Sequence, residues 1–245
     1  MIQMNKAIIL DAGEGKRLRP LTETTPKCLL KLNEITILEH QLVNLAECGI
    51  EKAILVVGYR ANQIFKKLKE KNFGLDLKLI RNPIYNRTNT VYSLWLAKKE
   101  IKEDLIYLNG DVVFHKNVLM RLLNSRFDTC LAVEKKKVNE EEVKVELVSN
   151  VIKKIGKKIQ LAKAHGEFVG IAKFSQEFNV LFKEKLNEVV EERKVNAFFE
   201  VALNRALKYY NVYAVDVSDL LCIEIDSHED FSVAKKIYSR LVKEA

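Results

Sequence analysis

A basic loop with two glycines follows the first apolar segment of the chain. The apolar run 7–10 leads into Gly13 and Gly15. Glycines directly after a strand let backbone N–H groups approach phosphate oxygens. Positive charge in the same stretch would neutralise a triphosphate and the charge that grows on its leaving group. The loop therefore predicts a phosphate site, with a basic turn without a ligand as the alternative. Its cations are Lys16, Arg17, Arg19 and Lys27.

Two well-known phosphate-binding loops do not fit this stretch. The dinucleotide fingerprint needs a third glycine where Leu18 stands. The P-loop needs four residues between its glycines and a Ser or Thr after its lysine. Here one residue separates Gly13 from Gly15, and Arg17 follows Lys16. The loop belongs to neither pattern.

Two aspartates distant in sequence each follow an apolar run. Asp111 comes after the run 105–108, and Asp226 comes after 223–225. Mg²⁺ is commonly held by one or two carboxylates together with substrate phosphates, so the pair predicts a Mg²⁺ site. The alternatives are a turn at Asp111 and a helix cap at Asp226, although Ser227 could provide that cap instead.

Apolar runs alternate with amphipathic segments over the first half of the chain. Strands are predicted at 7–10, 53–57, 77–80 and 105–108, and helices at 37–45, 61–71, 91–99 and 117–124. This alternation predicts an α/β protein with a mostly parallel, Rossmann-like sheet and helices on both faces. Ligands of such sheets bind at the carboxyl ends of the strands, where the loops begin at Asp11, Gly58, Asn82 and Asn109.

The second half is predicted to extend the sheet in a mixed or antiparallel manner. Its strands are expected at 130–133, 143–148, 151–159, 168–174, 212–217 and 221–225, and its helices at 178–190, 197–210 and 229–242. No Gly-, Pro- or Ser-rich linker separates the halves. We therefore expect a single domain over 1–245, with a nucleotide-binding part at 1–125 and an acceptor-binding part with a closing helix at 126–245.

Composition excludes several classes of protein. The chain has 245 residues, 48% of them apolar and 30% charged, with a net charge of +8. No apolar run approaches the ~20 residues that cross a bilayer, and we expect neither membrane insertion nor a signal peptide. The lysines alternate with glutamates without a nucleic-acid motif, so the basic run 135–137 is interpreted as solvated surface and no nucleic-acid partner is expected. Four separated cysteines lack a CxxC pair and favour a reducing, cytoplasmic setting.

Residues 12–22, followed by Pro26 and Lys27, resemble the signature of the sugar-phosphate nucleotidylyltransferase superfamily. The resemblance implies a nucleotidyltransferase fold, which is glycosyltransferase-A-like, with a mixed, mostly parallel sheet. It also implies a reaction in which a substrate phosphate attacks the α-phosphate of a nucleoside triphosphate and pyrophosphate leaves. One departure is Asp11, where the family usually has Ala, and we expect its side chain to face away or to alter contacts with the base.

The resemblance implies roles for individual residues. Arg17 and Lys27 would contact the reacting phosphates, and Asp111 and Asp226 would bind Mg²⁺. Nucleotide binding would fall to Leu10, Ala12, Gly13, Glu14, Gly15, Lys16 and Gly110.

Three further stretches, 82–94, 166–174 and 199–203, resemble the cytidylyltransferase branch and imply CTP as the donor. They make Asn89 and Ser93 candidate nucleotide contacts. Lys157, Glu167 and Glu200 become candidates for the acceptor, each with a purely structural role as the alternative. Tyr92 and Trp95 could form a cage for a cation, but core packing is favoured.

The acceptor expected first is myo-inositol 1-phosphate, which would give CDP-inositol. A composition rich in Lys, Glu and Ile with only five Gln is typical of thermophiles, in which related enzymes make that product. The alternatives are phosphocholine, phosphoethanolamine, aminoethylphosphonate and a sugar 1-phosphate. A glycosyltransferase would have no use for Lys27 and the basic loop, and a non-catalytic regulatory subunit would be expected to lack Lys27 or Asp111. A homodimer is left open.

Overall fold

A computed structural model describes residues 4–244 of the chain. Its strands are β1 Lys6–Asp11, β2 Lys52–Val57, β3 Asp76–Arg81, β4 Leu105–Asn109, β5 Val112–Phe114, β6 Cys130–Glu134, β7 Val145–Val148, β8 Val151–Ile155, β9 Glu167–Phe174, β10 Tyr213–Asp216 and β11 Cys222–Glu224. Its α-helices are α1 Ile37–Glu47, α2 Ala61–Lys69, α3 Thr90–Leu96, α4 Asn117–Leu123, α5 Gln176–Glu191, α6 Glu200–Ala206 and α7 His228–Glu244.

Nine of these strands form one sheet in the order β3-β2-β1-β4-β9-β6-β10-β8-β7. The first four positions are parallel, β9 runs antiparallel to its neighbours β4 and β6, and β10 is again parallel to β6. This confirms the predicted α/β architecture with a mixed, mostly parallel sheet.

Helices cover both faces of the sheet, because the central strands are apolar on both sides. In β1, Ile8 packs into the core under α3, α5 and α6, whereas Ile9 packs into the core under α1, α2 and α4. Successive residues of a strand point to opposite faces, so a fully buried strand needs apolar residues at every position. The run 7–10 meets that requirement.

One strand was missed, and two other elements are much shorter than predicted. The strand β5 was missed because it has only three residues and pairs with β11, which is distant in sequence. The strand predicted at 151–159 ends at Ile155, where Gly156 adopts a φ of 136° and turns the chain. The helix predicted at 197–210 is limited to α6, and the Phe199 N–H just before it donates to Thr90 Oγ1 at 2.8 Å.

The aromatic pair on α3 supports the fold. Tyr92 and Trp95 stack at 5.4 Å between ring centroids, and Tyr92 packs against the core. Trp95 Nε1 donates to Asn187 Oδ1 at 2.9 Å. The expectation of core packing is therefore confirmed for Tyr92. Across residues 4–244, no helix combines the length and the apolar character that crossing a membrane requires.

Candidate active site

A cavity of about 790 Å³ lies at the carboxyl ends of β1 and β4. It is the position that the parallel part of the sheet predicts for a ligand. Every residue that the sequence analysis assigned to the site lines this cavity. These residues are Leu10, Ala12, Gly13, Glu14, Gly15, Lys16, Arg17, Lys27, Asn89, Ser93, Gly110, Asp111, Lys157, Glu167, Glu200 and Asp226.

The glycine loop after β1 folds back onto the segment that carries Lys27. Gly15 adopts a φ of 61°, and a Cβ there would lie 3.2 Å from Lys27 Cβ. Thr22 Oγ1 donates to the Gly15 carbonyl at 2.8 Å and closes the loop. Glycine is required at this position because the left-handed backbone and the close approach both disfavour a side chain.

Two cations and two carboxylates meet in the centre of the cavity. Lys27 Nζ lies 2.7 Å from Asp111 Oδ2 and 3.3 Å from Asp226 Oδ1. Arg17 Nη2 lies 2.8 Å from Asp226 Oδ2. The fold thus joins residues that are 84 and 199 positions from Lys27 in the chain.

Burial and neighbouring charges shift the pKa values of Lys27 and Asp226 in opposite directions. Burial by itself would lower the pKa of Lys27, but Asp111 and Asp226 outweigh it and hold the pKa above its ordinary value. Burial would raise the pKa of Asp226, but Lys27 and Arg17 outweigh it and hold the pKa below its ordinary value. Lys27 and Asp226 are therefore held in their charged forms.

A small two-stranded sheet brings the two aspartates together. Strand β5 pairs antiparallel with β11, outside the main sheet, and Val112 faces Glu224. The Ile225 N–H donates to the Asp111 carbonyl at 3.0 Å. The start of β5 and the end of β11 therefore lie side by side.

The last helix is capped by residues other than Asp226. The Asp230 N–H donates to Ser227 Oγ at 3.1 Å, and Asp230 Oδ2 accepts from the Ser227 N–H at 2.7 Å. This arrangement is a reciprocal cap of the kind that satisfies the free N–H groups of a helix start. The carboxylate of Asp226 is thereby left to face the cavity.

The donor set at Asp111 and Asp226 fits a hard divalent cation, which prefers carboxylate oxygen. Asp111 Oδ1 is buried without a protein partner among residues 4–244. No group of three or more His, Cys, Asp or Glu in that part of the chain could hold a metal ion. Phosphate oxygens and water would therefore have to complete the coordination.

Two carboxyl groups beside the aspartates, the half-buried Glu224 and the buried Asp11, were not assigned a place in the site from the sequence. Glu224 Oε1 accepts from Asn109 Nδ2 at 3.0 Å, and burial, together with Asp111 and Asp226, raises its pKa well above the ordinary value. Burial and Asp111 raise the pKa of Asp11 to about 8. The Asp11 side chain lies against Gly110, where a Cβ would overlap Asp11 Oδ1. The only sequence signal for Glu224 was its place between two isoleucines.

Asn89 and Ser93 line the cavity but also have structural roles. Asn89 Oδ1 accepts from the Thr90 N–H at 2.8 Å and caps α3. Ser93 is buried, and its Oγ accepts from Asn82 Nδ2 at 3.2 Å. Asn82 also donates to Thr88 Oγ1 at 2.9 Å. Their contact with a nucleotide stays a prediction.

The far end of the cavity is lined by carboxyl groups from the second half of the chain. Glu200 is 7% exposed, its Oε2 has no protein partner within residues 4–244, and burial raises its pKa to about 7. Glu167 Oε2 pairs with Lys136 Nζ at 2.7 Å. Lys136 is exposed, as the interpretation of the run 135–137 as solvated surface expects, but it also lines the cavity. A charge run alone does not show which of its members pairs with the carboxylates of a site.

Comparison with known proteins identifies the chain. Residues 6–143 match the nucleotidyl transferase family. The chain belongs to this family. One relative of this nucleotidyl transferase is CTP:phosphoglutamine cytidylyltransferase from Campylobacter jejuni, 28% identical over 93% of this chain and 98% of that protein.

Solved structures agree with this fold. CTP:phosphocholine cytidylyltransferase from Streptococcus pneumoniae superposes with a TM-score of 0.80 and 27% identity, over 95% of this chain and 98% of that one. The inositol-1-phosphate CTP transferase from T. maritima superposes with a TM-score of 0.82 and 23% identity, over 98% and 96% of the two chains. At that identity the second likeness concerns the fold alone.

Proposed function

We propose that this nucleotidyl transferase moves CMP from CTP to a small phosphorylated alcohol and releases pyrophosphate. The observation that carries the proposal is the contact of Lys27 with both Asp111 and Asp226 in the cavity beside the glycine loop. A cation and two carboxylates next to a phosphate-binding loop are the groups that phosphoryl-type transfer needs for positioning and charge neutralisation.

The reaction needs no protein nucleophile. An oxygen of the acceptor phosphate attacks the α-phosphorus of CTP, and the bond between that phosphorus and the bridging oxygen of pyrophosphate breaks. The acceptor phosphate is already anionic, so no general base is required. Lys27 and Arg17 stabilise the charge that develops on the phosphates. Asp111 and Asp226 would hold Mg²⁺, which neutralises triphosphate charge when bound.

The nucleotide is assigned to residues 1–125 of a single domain. The backbone from Leu10 to Lys16 and at Gly110 would hold it, and Asn89 and Ser93 would contribute side chains. CTP as the donor is supported by relatives named for CTP and by the resemblance of residues 82–94 to cytidylyltransferases. Residues 126–245 would bind the acceptor, with Lys157, Glu167 and Glu200 nearest to it, and close with α7.

For the acceptor, myo-inositol 1-phosphate is the proposal that the resemblance supports. A second candidate is a phosphorylated amino alcohol, which the carboxyl groups at the far end of the cavity favour because they attract a cation. A sugar 1-phosphate is the third. A homodimer, a cytoplasmic location and a thermophilic source stay predictions.

A pyrophosphate-release screen tests the proposal. CTP, UTP, GTP, ATP and dTTP are each mixed with Mg²⁺ and a panel of phosphorylated alcohols and sugars, and CTP is expected to give the highest turnover. Lys27→Met should abolish most of the signal, whereas Lys66→Met, at an exposed lysine of α2, should not change it. Comparable turnover with UTP or dTTP and a hexose 1-phosphate would contradict the choice of CTP.

A further inference from the structure

Three glutamates surround a single lysine at the acceptor end of the cavity. Lys136 Nζ lies 2.9 Å from Glu134, 3.3 Å from Glu142 and 2.7 Å from Glu167. The glutamate side chains are only 31%, 18% and 12% exposed, in that order. All four residues line the cavity. We call them the glutamate cluster.

The backbone places two of these carboxylates against each other. Glu134 ends β6, Glu167 begins β9, and the two are direct partners in the antiparallel register. Like charges directly opposite on neighbouring strands destabilise a sheet. Lys136 offsets part of that repulsion, but three carboxylates around one ammonium still leave an excess of negative charge. The arrangement therefore calls for a further cation.

A buried lysine holds the third glutamate in place. Lys144 is fully buried, and its Nζ donates to the carbonyls of Asn139 at 3.1 Å and Glu140 at 2.8 Å. Glu142 Oε2 accepts from the Asn139 N–H at 2.8 Å, which closes the turn 139–142. The cluster is thus built into the fold and does not depend on an exposed, freely rotating side chain.

A second observation independently indicates a ligand at this end of the cavity. Glu200, on α6, is 7% exposed and lines the same cavity, and its buried Oε2 lacks a protein partner within residues 4–244. Its neighbour Phe199 contacts Phe168, which follows Glu167, at 6.0 Å between ring centroids. A buried polar oxygen without a partner is costly, and a donor on a ligand would satisfy it. Five carboxyl groups and two lysines line this end, namely Glu134, Glu141, Glu142, Glu167 and Glu200 with Lys136 and Lys157.

We infer that the glutamate cluster, with Glu200, forms a subsite for a primary ammonium group on the acceptor. An –NH₃⁺ group has three donors and no acceptor, so a wall of carboxylate oxygens matches it. A quaternary ammonium would instead need aromatic faces. The aromatic side chains at this end already have partners: Phe199 is buried against Tyr107 at 4.6 Å between ring centroids, and the exposed Phe198 ring faces Lys157 Nζ at 6.0 Å from its centroid.

Among the candidate acceptors of the proposed function, this subsite therefore favours a phosphorylated alcohol that carries a primary amine over the myo-inositol 1-phosphate that the resemblance supports. This inference rests on the proposed function, because the phosphate of the acceptor must reach the centre at Lys27. Strand β9, which begins at Glu167, pairs antiparallel with β4 and places Ile171 opposite Leu108, so the start of β9 lies beside the end of β4 that leads into Asp111. Glu167 and Asp111 also line the same cavity, so the cluster and that centre are neighbours. A small molecule can span them.

Catalytic efficiency with four acceptors tests the inference. CTP and Mg²⁺ are mixed with O-phosphoethanolamine, phosphocholine, myo-inositol 1-phosphate or glycerol 3-phosphate. O-phosphoethanolamine should exceed each of the others at least about tenfold in kcat/KM, as expected for a charge-assisted hydrogen-bonded group. If phosphocholine or inositol 1-phosphate matches it, the subsite is overturned and cytidylyl transfer stands. If no acceptor releases pyrophosphate from CTP, the proposed function itself fails.

Matched variants test whether the glutamate cluster causes the preference for O-phosphoethanolamine. Glu167→Gln should raise KM for O-phosphoethanolamine about tenfold while KM for CTP and KM for glycerol 3-phosphate change less than about twofold. Glu51→Gln, at an exposed glutamate outside the cavity lining, should behave as wild type. An equal change of KM for the amine and for glycerol 3-phosphate would overturn the subsite. Glu134→Gln is the second variant if thermal melting shows that Glu167→Gln does not fold.

Discussion

Lys27 Nζ and Asp111 Oδ2 lie 2.7 Å apart, so a cation suited to phosphate contacts neutralises a carboxylate suited to a metal. Arg17 has the same relationship with Asp226, at 2.8 Å. In the absence of ligand the centre balances part of its own charge. Binding of a nucleotide with its metal would exchange these pairs for contacts between cations and phosphates and between carboxylates and metal.

The first prediction concerns the aspartates. Asp111→Ala and Asp226→Ala should each lower turnover at least about 100-fold, the loss of a transition-state interaction of ~3 kcal/mol. The measurement is pyrophosphate release at saturating CTP and Mg²⁺. Asp128→Asn, at an exposed position after α4, is the control and should retain full activity. Full activity of Asp111→Ala in excess chelator would contradict the metal assignment.

The second prediction is that metal and nucleotide bind cooperatively. Mn²⁺, used as a spectroscopic substitute for Mg²⁺, should bind weakly alone because Lys27 and Arg17 already neutralise the carboxylates. Addition of CTP should tighten Mn²⁺ binding by roughly tenfold or more, measured by electron paramagnetic resonance. Lys27→Met should tighten binding of Mn²⁺ alone. If neither CTP nor Lys27→Met changes the affinity for Mn²⁺, the exchange of ion pairs for metal and phosphate contacts is refuted.

The third prediction concerns Gly110 and Asp11. Gly110→Ala should destabilise the fold by about 1–3 kcal/mol, because the new Cβ would overlap Asp11 Oδ1. In an Asp11→Ala background, Gly110→Ala should destabilise the fold less. Part of the destabilisation should remain, because the Leu10 carbonyl oxygen lies 2.7 Å from the position of the new Cβ. Urea unfolding of both single variants and the double variant measures the coupling. If the losses in free energy of unfolding caused by Gly110→Ala and Asp11→Ala are strictly additive, the two side chains do not compete for space.

The fourth prediction concerns His40 and pH. Burial lowers the pKa of His40 to about 4 from an ordinary value of 6.5. The unfolded chain therefore takes up a proton before the folded one, and stability present above pH 6.5 is lost as the pH falls to about 4. The loss is on the order of 3 kcal/mol. Urea unfolding measures the free energy of unfolding between pH 7 and 4, which should fall more steeply for wild type than for His40→Gln. If the free energies of the two proteins fall in parallel, the role of His40 is contradicted.

The sequence predicted the sheet and the residues of the cavity because their signals are local. A strand such as β1 is visible as an apolar run, and the loop after it is visible from its glycines and cations. Asp111 and Asp226 stand out because each follows an apolar run. Such features need no knowledge of distant neighbours.

Other features depend on contacts between distant segments and could not be predicted. Lys136 looks like any surface lysine until Glu134, Glu142 and Glu167 are placed around it. The side chain of Lys27 is only 14% exposed, which its place in a basic loop does not indicate. Removing it therefore leaves a largely buried carboxylate without its partner.

Because β5 pairs with β11, Asp111 and Asp226 come together only after β11 has been synthesised. Asp111 is synthesised more than a hundred residues before Asp226, yet the pairing of β5 with β11 positions both side chains. A nascent chain, or one truncated before β11, would contain the phosphate loop and Lys27 with only one of the two carboxylates. Such a chain would lack one of the two carboxylates on which the proposed transfer depends.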